Sequence, residues 1–294
     1  AQHCQPFWDG TREAIFGLLD LLEKHEIAAT WATVGALLLG QSDSRRHEWL
    51  DDAQFDDVPI GTAASKPDWY AEDIVERLRT HPVAQEIGCH TLTHRFIEPG
   101  TAGRDQFRQE LRRFRQLCDD LYIEQPTSFI FPKAKMAHFD VLSEEGFTSI
   151  RGPEPKWFES LPTAILPAVA RLVDAKLSRP PNVGLPRQLP CGLWVVPSSQ
   201  FYSPFMSVGN HVSVEQRVAK AIKGLRLAAS RRQIFHLWTH PFNLGVRTAE
   251  LLHGLDMILA EARRLCAAGE LEIQTMGQLT SCLQDGAQKS GIQS

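Results

Sequence analysis

Two histidine pairs with the same four-residue spacing are the residues of this chain best suited to chemistry. His90 and His94 form the first pair, and His236 and His240 form the second. In each pair an apolar, strand-like run precedes or contains the first histidine. Two imidazoles four residues apart on a helical turn point in the same direction and can bind one metal ion. The spacing therefore predicts a metal site, and the alternative is a structural histidine with a hydrogen-bond partner.

Composition and charge exclude several classes of protein. Among 294 residues, 31 are basic and 35 acidic, and the resulting charge of −4 does not indicate a nucleic-acid-binding protein. No run approaches the roughly 18 apolar residues that a transmembrane helix needs. The six cysteines form no C-x-x-C pair, which favours reduced thiols and therefore a cytoplasmic location.

Strand-like and helix-like segments alternate through most of the chain. This alternation predicts an α/β fold whose parallel sheet is closed, or nearly closed, into a barrel. Apolar residues at helical spacing predict helices at 13–25, 71–80, 104–120, 137–145, 163–177, 213–230, 248–268 and at the C-terminus. The predicted strands are 28–34, 86–90, 127–131, 147–151, 194–197, 234–239 and 271–274. We expect one barrel domain over 1–285 and a disordered tail over 286–294.

Two further segments carry expectations about the surface. The stretch 41–69 is polar and acidic and predicts a long surface loop, a kind of loop that is often functional. The predicted helix at 213–230 is basic, and we expect its lysine and arginine side chains to form a solvated face.

Four short motifs in a fixed order carry a resemblance to a known family. They are Ala-Thr-Trp-Ala-Thr-Val-Gly at 29–35, Glu-Ile-Gly-Cys-His-Thr-Leu-Thr-His at 86–94, Phe-Pro-Lys at 131–133 and Phe-His-Leu-Trp-Thr-His-Pro at 235–241. Together they resemble the NodB-homology polysaccharide deacetylases, which are carbohydrate esterase family 4. The ordered set is specific, although no single motif is.

The resemblance implies a fold, a cofactor and a ligand set. The fold would be a distorted (β/α)7 barrel that binds a divalent metal ion, usually Zn²⁺, and removes acetyl groups from N-acetylated sugars. His90 and His94 match the two metal-ligating histidines of the family. Thr91 matches the hydroxyl residue after the first ligand, and we assign it to substrate binding, with an ordinary helix N-cap as the alternative.

The implied reaction needs a base and an acid beside the metal. The metal polarises the acetyl carbonyl and lowers the pKa of a bound water, a carboxylate takes the water's proton, and a general acid protonates the departing amine. His240 matches the histidine of the family's last motif and is the predicted acid. His236 and Trp238 alternate with it along a strand and are assigned to substrate binding. For these two residues a core or supporting role is the alternative.

The N-terminus departs from the family pattern. The family's first motif is Thr-Phe-Asp-Asp or similar on the first strand, and its aspartates are the catalytic base and the third metal ligand. Residues 1–10 are short and polar, and we interpret Asp9 as a helix N-cap, with Thr11 as the alternative cap. We therefore expect the first strand to be missing and the metal set to contain two imidazoles and no acidic ligand.

The third motif also departs from the family pattern. The family commonly has an arginine near a proline there, often orienting the base, whereas this chain has Phe131-Pro132-Lys133. A lysine supplies a point charge but not the planar fork of arginine. We assign Lys133 to the catalytic residues, and a surface lysine without function is an equal alternative.

The residues and the resemblance together predict an enzyme that acts on a non-peptide C–N bond. The predicted function is a metal-dependent hydrolase that removes N-acetyl groups from an amino-sugar polysaccharide or oligosaccharide. The alternatives are a hydrolase of another linear or cyclic amide, and a non-catalytic carbohydrate-binding or scaffold domain with a degraded site. The chain has no Gly-x-Ser-x-Gly elbow, phosphate loop or dinucleotide fingerprint to favour other chemistry.

Overall fold

The structure is a computed structural model that describes residues 9–40, 64–65, 70–155 and 165–289. The chain divides into two compact units, each built from distant parts of the sequence. The sheet unit comprises Ala28–Arg151, Arg187–Val196 and Gln274–Ser294. The helical unit comprises the remaining segments, Ala1–Ile27, Gly152–Pro186 and Pro197–Ile273.

A six-stranded sheet forms the centre of the sheet unit. In spatial order its strands are β1 (Thr30–Thr33), β2 (Glu86–Cys89), β3 (Ser128–Phe129), β4 (Ser149–Arg151), β6 (Trp194–Val196) and β5 (Arg187–Gln188). The β5–β6 pair is antiparallel, and the other pairs are parallel. Parallel neighbours need crossover connections. The helices of this unit are α2 (Glu72–Arg79), α3 (Thr101–Asp120), α4 (Phe139–Glu144) and α8 (Met276–Lys289).

Helix α3 supplies much of the core of the sheet unit. Its residues Phe107, Leu111, Phe114 and Leu117 recur at helical spacing and are buried. The Phe107 ring meets the ring of Phe129 on β3 edge to face, with centroids 5.4 Å apart. This contact fixes α3 against the strand that follows it in the chain.

The helical unit is built around four helices and a two-stranded parallel sheet. The helices are α1 (Thr11–Lys24), α5 (Ile165–Lys176), α6 (Val214–Arg231) and α7 (Thr248–Ala267), and the strands are β7 (Gln200–Phe201) and β8 (Leu237–Trp238). Helix α6 begins at a capping box in which the side chains of Ser213 and Gln216 each bond the other's backbone N–H. Fully buried Tyr202 donates its hydroxyl to the Leu251 carbonyl (3.0 Å) and so ties the sheet to α7.

The predicted α/β class with mostly parallel strands is confirmed, and each predicted helix has a counterpart. The prediction of a strand at 271–274 is wrong. Leu271 and Ile273 alternate as in a strand, but they pack against the helical core and the segment joins no sheet among the described residues. The predicted strand at 234–239 shortens to Leu237–Trp238, and Ile234 forms an isolated antiparallel bridge with Gly184.

The prediction that Asp9 or Thr11 caps α1 is also wrong. The N-cap residue is Gly10, and no side chain caps the helix. A Cβ at Gly10 would lie 2.0 Å from the Gly245 carbonyl oxygen, so close backbone contact requires glycine at the start of the helix.

The expected solvated face of α6 has one exception. Arg217 is 3% exposed, and its guanidinium donates to the carbonyls of Ser203, Pro204, Gly209 and Val212. This buried arginine therefore holds the loop after β7 through hydrogen bonds and is not part of the solvated face.

Four expectations concern the chain ends, a surface loop and membrane crossing. The predicted absence of a first strand falls on 1–8, and most of the acidic loop falls on 41–63 and 66–69; these residues lie outside the described ones. Helix α8 continues to Lys289, beyond the residue 285 at which we expected order to end. Among the described residues, no helix has the length and apolar character needed to cross a bilayer.

Candidate functional site

Strand β2 places His90 at the carboxyl end of the parallel sheet. The strand pairs with β1 from Thr30↔Glu86 to Thr33↔Cys89, and the His90 N–H donates to the Thr33 carbonyl (2.9 Å). On its other side the Cys89 carbonyl accepts from the Ile130 N–H (2.9 Å). His90 is therefore held between two neighbouring strands at the edge where open α/β sheets bind ligands.

The turn after His90 is not the helical turn that the spacing predicted. Thr91 and His94 both adopt left-handed backbone conformations, with φ of 65° and 58°. The two imidazoles nevertheless lie together, with ring centroids 4.8 Å apart and an interplanar angle of 64°. The predicted proximity of the two rings is therefore present, but a left-handed turn produces it instead of a helical one.

Backbone hydrogen bonds from the residues that follow β1 hold this turn. The carbonyls of Thr91 and Leu92 accept from the N–H groups of Gly35 (3.0 Å) and Ala36 (2.8 Å). A Cβ at Gly35 would lie within 2.9 Å of side-chain atoms of Phe114 and Leu92. The glycine that follows β1 thus allows the turn to approach closely enough for these bonds.

Thr91 is fully buried, and no helix begins at it. The N-cap alternative for this residue is therefore wrong. Its Oγ1 has no hydrogen-bond partner within the described part of the chain, and a β-branched residue is disfavoured in the left-handed region. The Thr91 side chain is buried in the protein interior in this structure. Its assignment to substrate binding stays a prediction.

A backbone carbonyl sets the tautomer of His90. The Nδ1 of its ring lies 2.7 Å from the Ile130 carbonyl oxygen. A carbonyl only accepts, so Nδ1 carries the hydrogen and Nε2 keeps its lone pair. Metal-ligating histidines typically have this arrangement, in which the second ring nitrogen donates to a carbonyl or carboxylate.

The environment of His94 favours its neutral form. Partial burial lowers the pKa of the imidazole, and the nearby positive charge of Lys133 lowers this pKa further. A neutral imidazole has a lone pair available for a metal ion near pH 7. The edge of the Phe96 ring lies against His94, with centroids 6.2 Å apart.

Lys133 lies near the histidine pair, and its catalytic assignment stays a prediction. It is exposed, adopts a left-handed conformation (φ 50°) and holds its Nζ 4.4 Å from the centroid of the Phe96 ring. Lys135 places its Nζ 5.4 Å from the same centroid. The structure therefore assembles the first histidine pair, Phe96 and a positive charge in the sheet unit.

The donor set of the first pair fits two positions of a four-coordinate zinc site. The tautomer of His90 and the neutral state of His94 both suit metal binding. In the part of the chain that the structure describes, no group of three or more His, Cys, Asp or Glu side chains could hold a metal ion.

His240 belongs to the helical unit and lies in an aromatic cluster, which we define as Phe201, Trp238, His240 and Phe242. Its exposed ring stacks on Phe242, with centroids 5.5 Å apart and an interplanar angle of 18°. It meets Trp238 edge to face at 5.5 Å, and Trp238 in turn lies 4.5 Å from Phe201. An exposed imidazole among aromatic faces can transfer a proton to a ligand that packs against the rings.

His236 is part of the pairing between β7 and β8. Its N–H donates to the Ser199 hydroxyl (3.1 Å), and its carbonyl accepts from the N–H groups of Ser199 and Gln200. The ring is half-buried. These backbone contacts agree with the supporting role that we kept as its alternative.

Our sequence interpretation missed Glu110, which contacts the turn between His90 and His94. Its carboxylate accepts from the backbone N–H and the hydroxyl of Thr93, each at 2.9 Å. A signal was present in the sequence, because Glu110 falls on the apolar face of α3 between Phe107 and Phe114. A charged residue on an apolar helical face needs a buried partner.

The comparisons with known proteins agree with the predicted resemblance. Residues 6–148 match the polysaccharide deacetylase family, and this match includes Asp9, His90, His94 and Lys133 but ends before the second histidine pair. A solved structure from Mycobacterium smegmatis, named provisionally as a polysaccharide deacetylase, is similar to this chain. It has a TM-score of 0.63 and 16% identity, over 96% of this chain and 79% of that one. This likeness confirms the predicted deacetylase-type α/β fold.

A second solved structure, named Puue allantoinase, has a TM-score of 0.49 and 12% identity, over 85% of this chain and 66% of that one. No curated protein matches the chain.

Proposed function

We propose that this chain, whose residues 6–148 belong to the polysaccharide deacetylase family, is a metal-dependent hydrolase of N-acetylated sugars in a polysaccharide or oligosaccharide. The observation that carries this proposal is the His90–His94 pair at the end of β2. The ring centroids lie 4.8 Å apart, and a backbone carbonyl fixes the His90 tautomer in which Nδ1 carries the hydrogen. Zn²⁺ is the ion we propose, because imidazole is among its usual ligands.

The first histidine pair would hold the ion in the sheet unit. The chemistry that such an ion supplies when bound is polarisation of the acetyl carbonyl and a lowered pKa of a coordinated water. The Ile130 carbonyl keeps His90 in the ligating tautomer, and burial together with Lys133 lowers the pKa of His94, which favours its neutral form. The Lys133 ammonium also offers a point charge for an oxygen that becomes negative during the reaction.

The net reaction adds water across the amide bond. The C–N bond breaks, the water oxygen joins the acetyl carbon to form acetate, and the sugar nitrogen leaves as an amine. An amine anion is a very poor leaving group, so the nitrogen must receive a proton as the bond breaks. We propose that the exposed His240 imidazole gives that proton, and that the faces of Trp238 and Phe242 pack against the sugar.

A non-catalytic carbohydrate-binding domain is the second candidate. It is favoured by the described donor set, which contains two imidazoles and no third metal ligand. A binding domain of this kind would keep the aromatic cluster and would neither need the divalent ion nor release acetate. The two candidates therefore differ in measurable products.

Acetate release from an N-acetylated chito-oligosaccharide, with Zn²⁺ or Co²⁺ and after chelation, tests the proposal. We expect turnover that chelation abolishes and that added metal restores. His94→Ala should remove most of it, whereas His253→Ala, which changes an exposed histidine on α7, should leave it unchanged.

The outcomes separate the two candidates. Binding of the oligosaccharide without acetate release, at saturating metal, would favour the non-catalytic domain. Release that survives chelation would overturn the metal-dependent mechanism.

A further inference from the structure

Among the described residues, Glu110 is the one acidic side chain that is buried. It lies on α3, on the same face as the fully buried Leu111 and Phe114. An apolar side chain would suit this face better, because a buried carboxylate loses its hydration. The position of Glu110 therefore needs an explanation other than core packing.

The Glu110 carboxylate accepts hydrogen bonds from the turn that carries the histidine pair. Its Oε2 accepts from the Thr93 N–H and its Oε1 from the Thr93 hydroxyl, each at 2.9 Å. Burial raises the pKa of this carboxyl, and the bonds from Thr93 and from the Leu92 N–H lower it. One side chain thus accepts from both polar donors of Thr93, in a turn that is only five residues long, from His90 to His94.

This turn has an unfavourable backbone that must be held from outside. Thr91 and His94 are both left-handed, although neither is glycine. Such conformations persist only where surrounding contacts determine them. Gly35 and Ala36 bond the first half of the turn, at Thr91 and Leu92, and Glu110 bonds the second half, next to His94.

We propose that Glu110 is a positioning residue. By holding Thr93 it fixes the second half of the turn, and so sets the separation of the His90 and His94 imidazoles and their affinity for a divalent cation. This inference rests on the proposed metal-binding role of the pair. The hydrogen bonds of the Glu110 carboxylate go to Thr93, so it acts through the backbone of the turn.

Titration of the full chain with Co²⁺, by calorimetry and visible absorption, tests the proposal. Glu110→Leu keeps the size and suits the apolar face but removes both acceptors, and we expect the Co²⁺ Kd to rise about 10–100-fold, the usual effect of an outer-shell partner. Glu110→Gln should cost less, because its amide can still accept from the Thr93 N–H and donate to the hydroxyl.

Two pairs of variants separate positioning from general stability. Thr93→Val should weaken Co²⁺ binding, whereas Thr93→Ser should keep the wild-type Kd because it retains the hydroxyl. Leu117→Ala changes a buried side chain on the same helix, away from the turn, and should lower Tm without changing the Kd. A Glu110→Leu Kd within twofold of wild type, or a Leu117→Ala Kd that rises as much, would overturn the proposal.

A measurement on the metal-free chain distinguishes failure of this inference from failure of the proposed function. Hydrogen exchange of the Thr93 amide and the nuclear Overhauser contact between the two imidazoles report the turn directly. We expect at least tenfold faster exchange and a weaker ring contact in Glu110→Leu. If the wild-type chain binds no Co²⁺, the proposed function fails, and unchanged exchange and ring contact in Glu110→Leu would then overturn the positioning role as well.

Discussion

The two histidine pairs share a spacing and differ in almost everything else. His90 and His94 lie on a turn after a strand, and their rings are 4.8 Å apart. His236 and His240 flank β8, and a four-residue step along extended backbone covers about 13 Å. His-x-x-x-His is therefore compatible with one shared ligand in the first segment and with two separate environments in the second.

The groups that hold the two histidine pairs in place also differ. In the sheet unit, polar groups hold the pair: the Ile130 carbonyl fixes one ring, and Glu110 fixes the turn. In the helical unit, aromatic faces surround His240. Polar supports fix the direction of a lone pair, as a metal ligand requires, whereas aromatic faces suit an imidazole that meets a sugar.

The largest expected effect is on the first pair. We expect His94→Ala to lower turnover by at least about 10⁴-fold, because the metal's contribution of several kcal/mol is lost with its ligand. His236→Ala should cost less than about tenfold, since its backbone makes the contacts between β7 and β8. Metal content and acetate release, measured on both variants, check the contrast. Equal losses in the two would show that both pairs serve the same role.

The next effect concerns the acid. His240→Ala should keep the bound metal and lower turnover by about 10²–10⁴, the usual contribution of a general acid. The control is His253→Ala, which changes an exposed histidine on α7 and should leave both metal content and turnover unchanged. Loss of metal with retained turnover in His240→Ala would reverse the assignment of the two pairs.

A third prediction compares the two buried charges. Arg217→Met leaves several buried carbonyls without a donor and should lower the free energy of unfolding by about 3 kcal/mol. Glu110→Leu should change it much less, because the apolar face of α3 accepts leucine. Urea unfolding measures both, with Arg226→Met, an exposed residue on α6, as the control expected within about 0.5 kcal/mol. If Glu110→Leu lowers the free energy of unfolding more than Arg217→Met does, the main role of Glu110 is in stability and not in positioning the turn.

The smallest effect is on acid stability in the helical unit. Hydrogen bonding to Arg264, with a further contribution from Arg226, lowers the pKa of Glu261 from 4.5 to about 2. A carboxylate whose pKa is depressed in the folded state stabilises the protein above the unfolded pKa, and this contribution is lost as the pH falls through the folded pKa. The Tm difference between wild type and Glu261→Gln should therefore be constant above pH 5 and shrink between pH 4.5 and about 2. A difference that grows on acidification would contradict this sign.

Local periodicity was sufficient to predict most elements of both units. The apolar spacing in α3, α6 and α7 predicted their ends to within a few residues. Failures came where a segment's partners lie elsewhere in the chain. The residues 271–274 alternate like a strand, yet they pack on the helical core without joining a sheet.

The sequence by itself determined the types of residue at the candidate site and their place after β2. Both can be recognised from the order of neighbouring residues, because an apolar strand followed by His-x-x-x-His is visible without knowledge of the rest of the fold. Tertiary structure alone decided the left-handed turn, the tautomer of His90 and the role of Glu110. Each depends on a group from another element, namely Gly35 after β1, Ile130 after β3 and the buried face of α3. Hydrogen bonds formed between such distant segments leave no periodic signal, so only the folded chain reveals them.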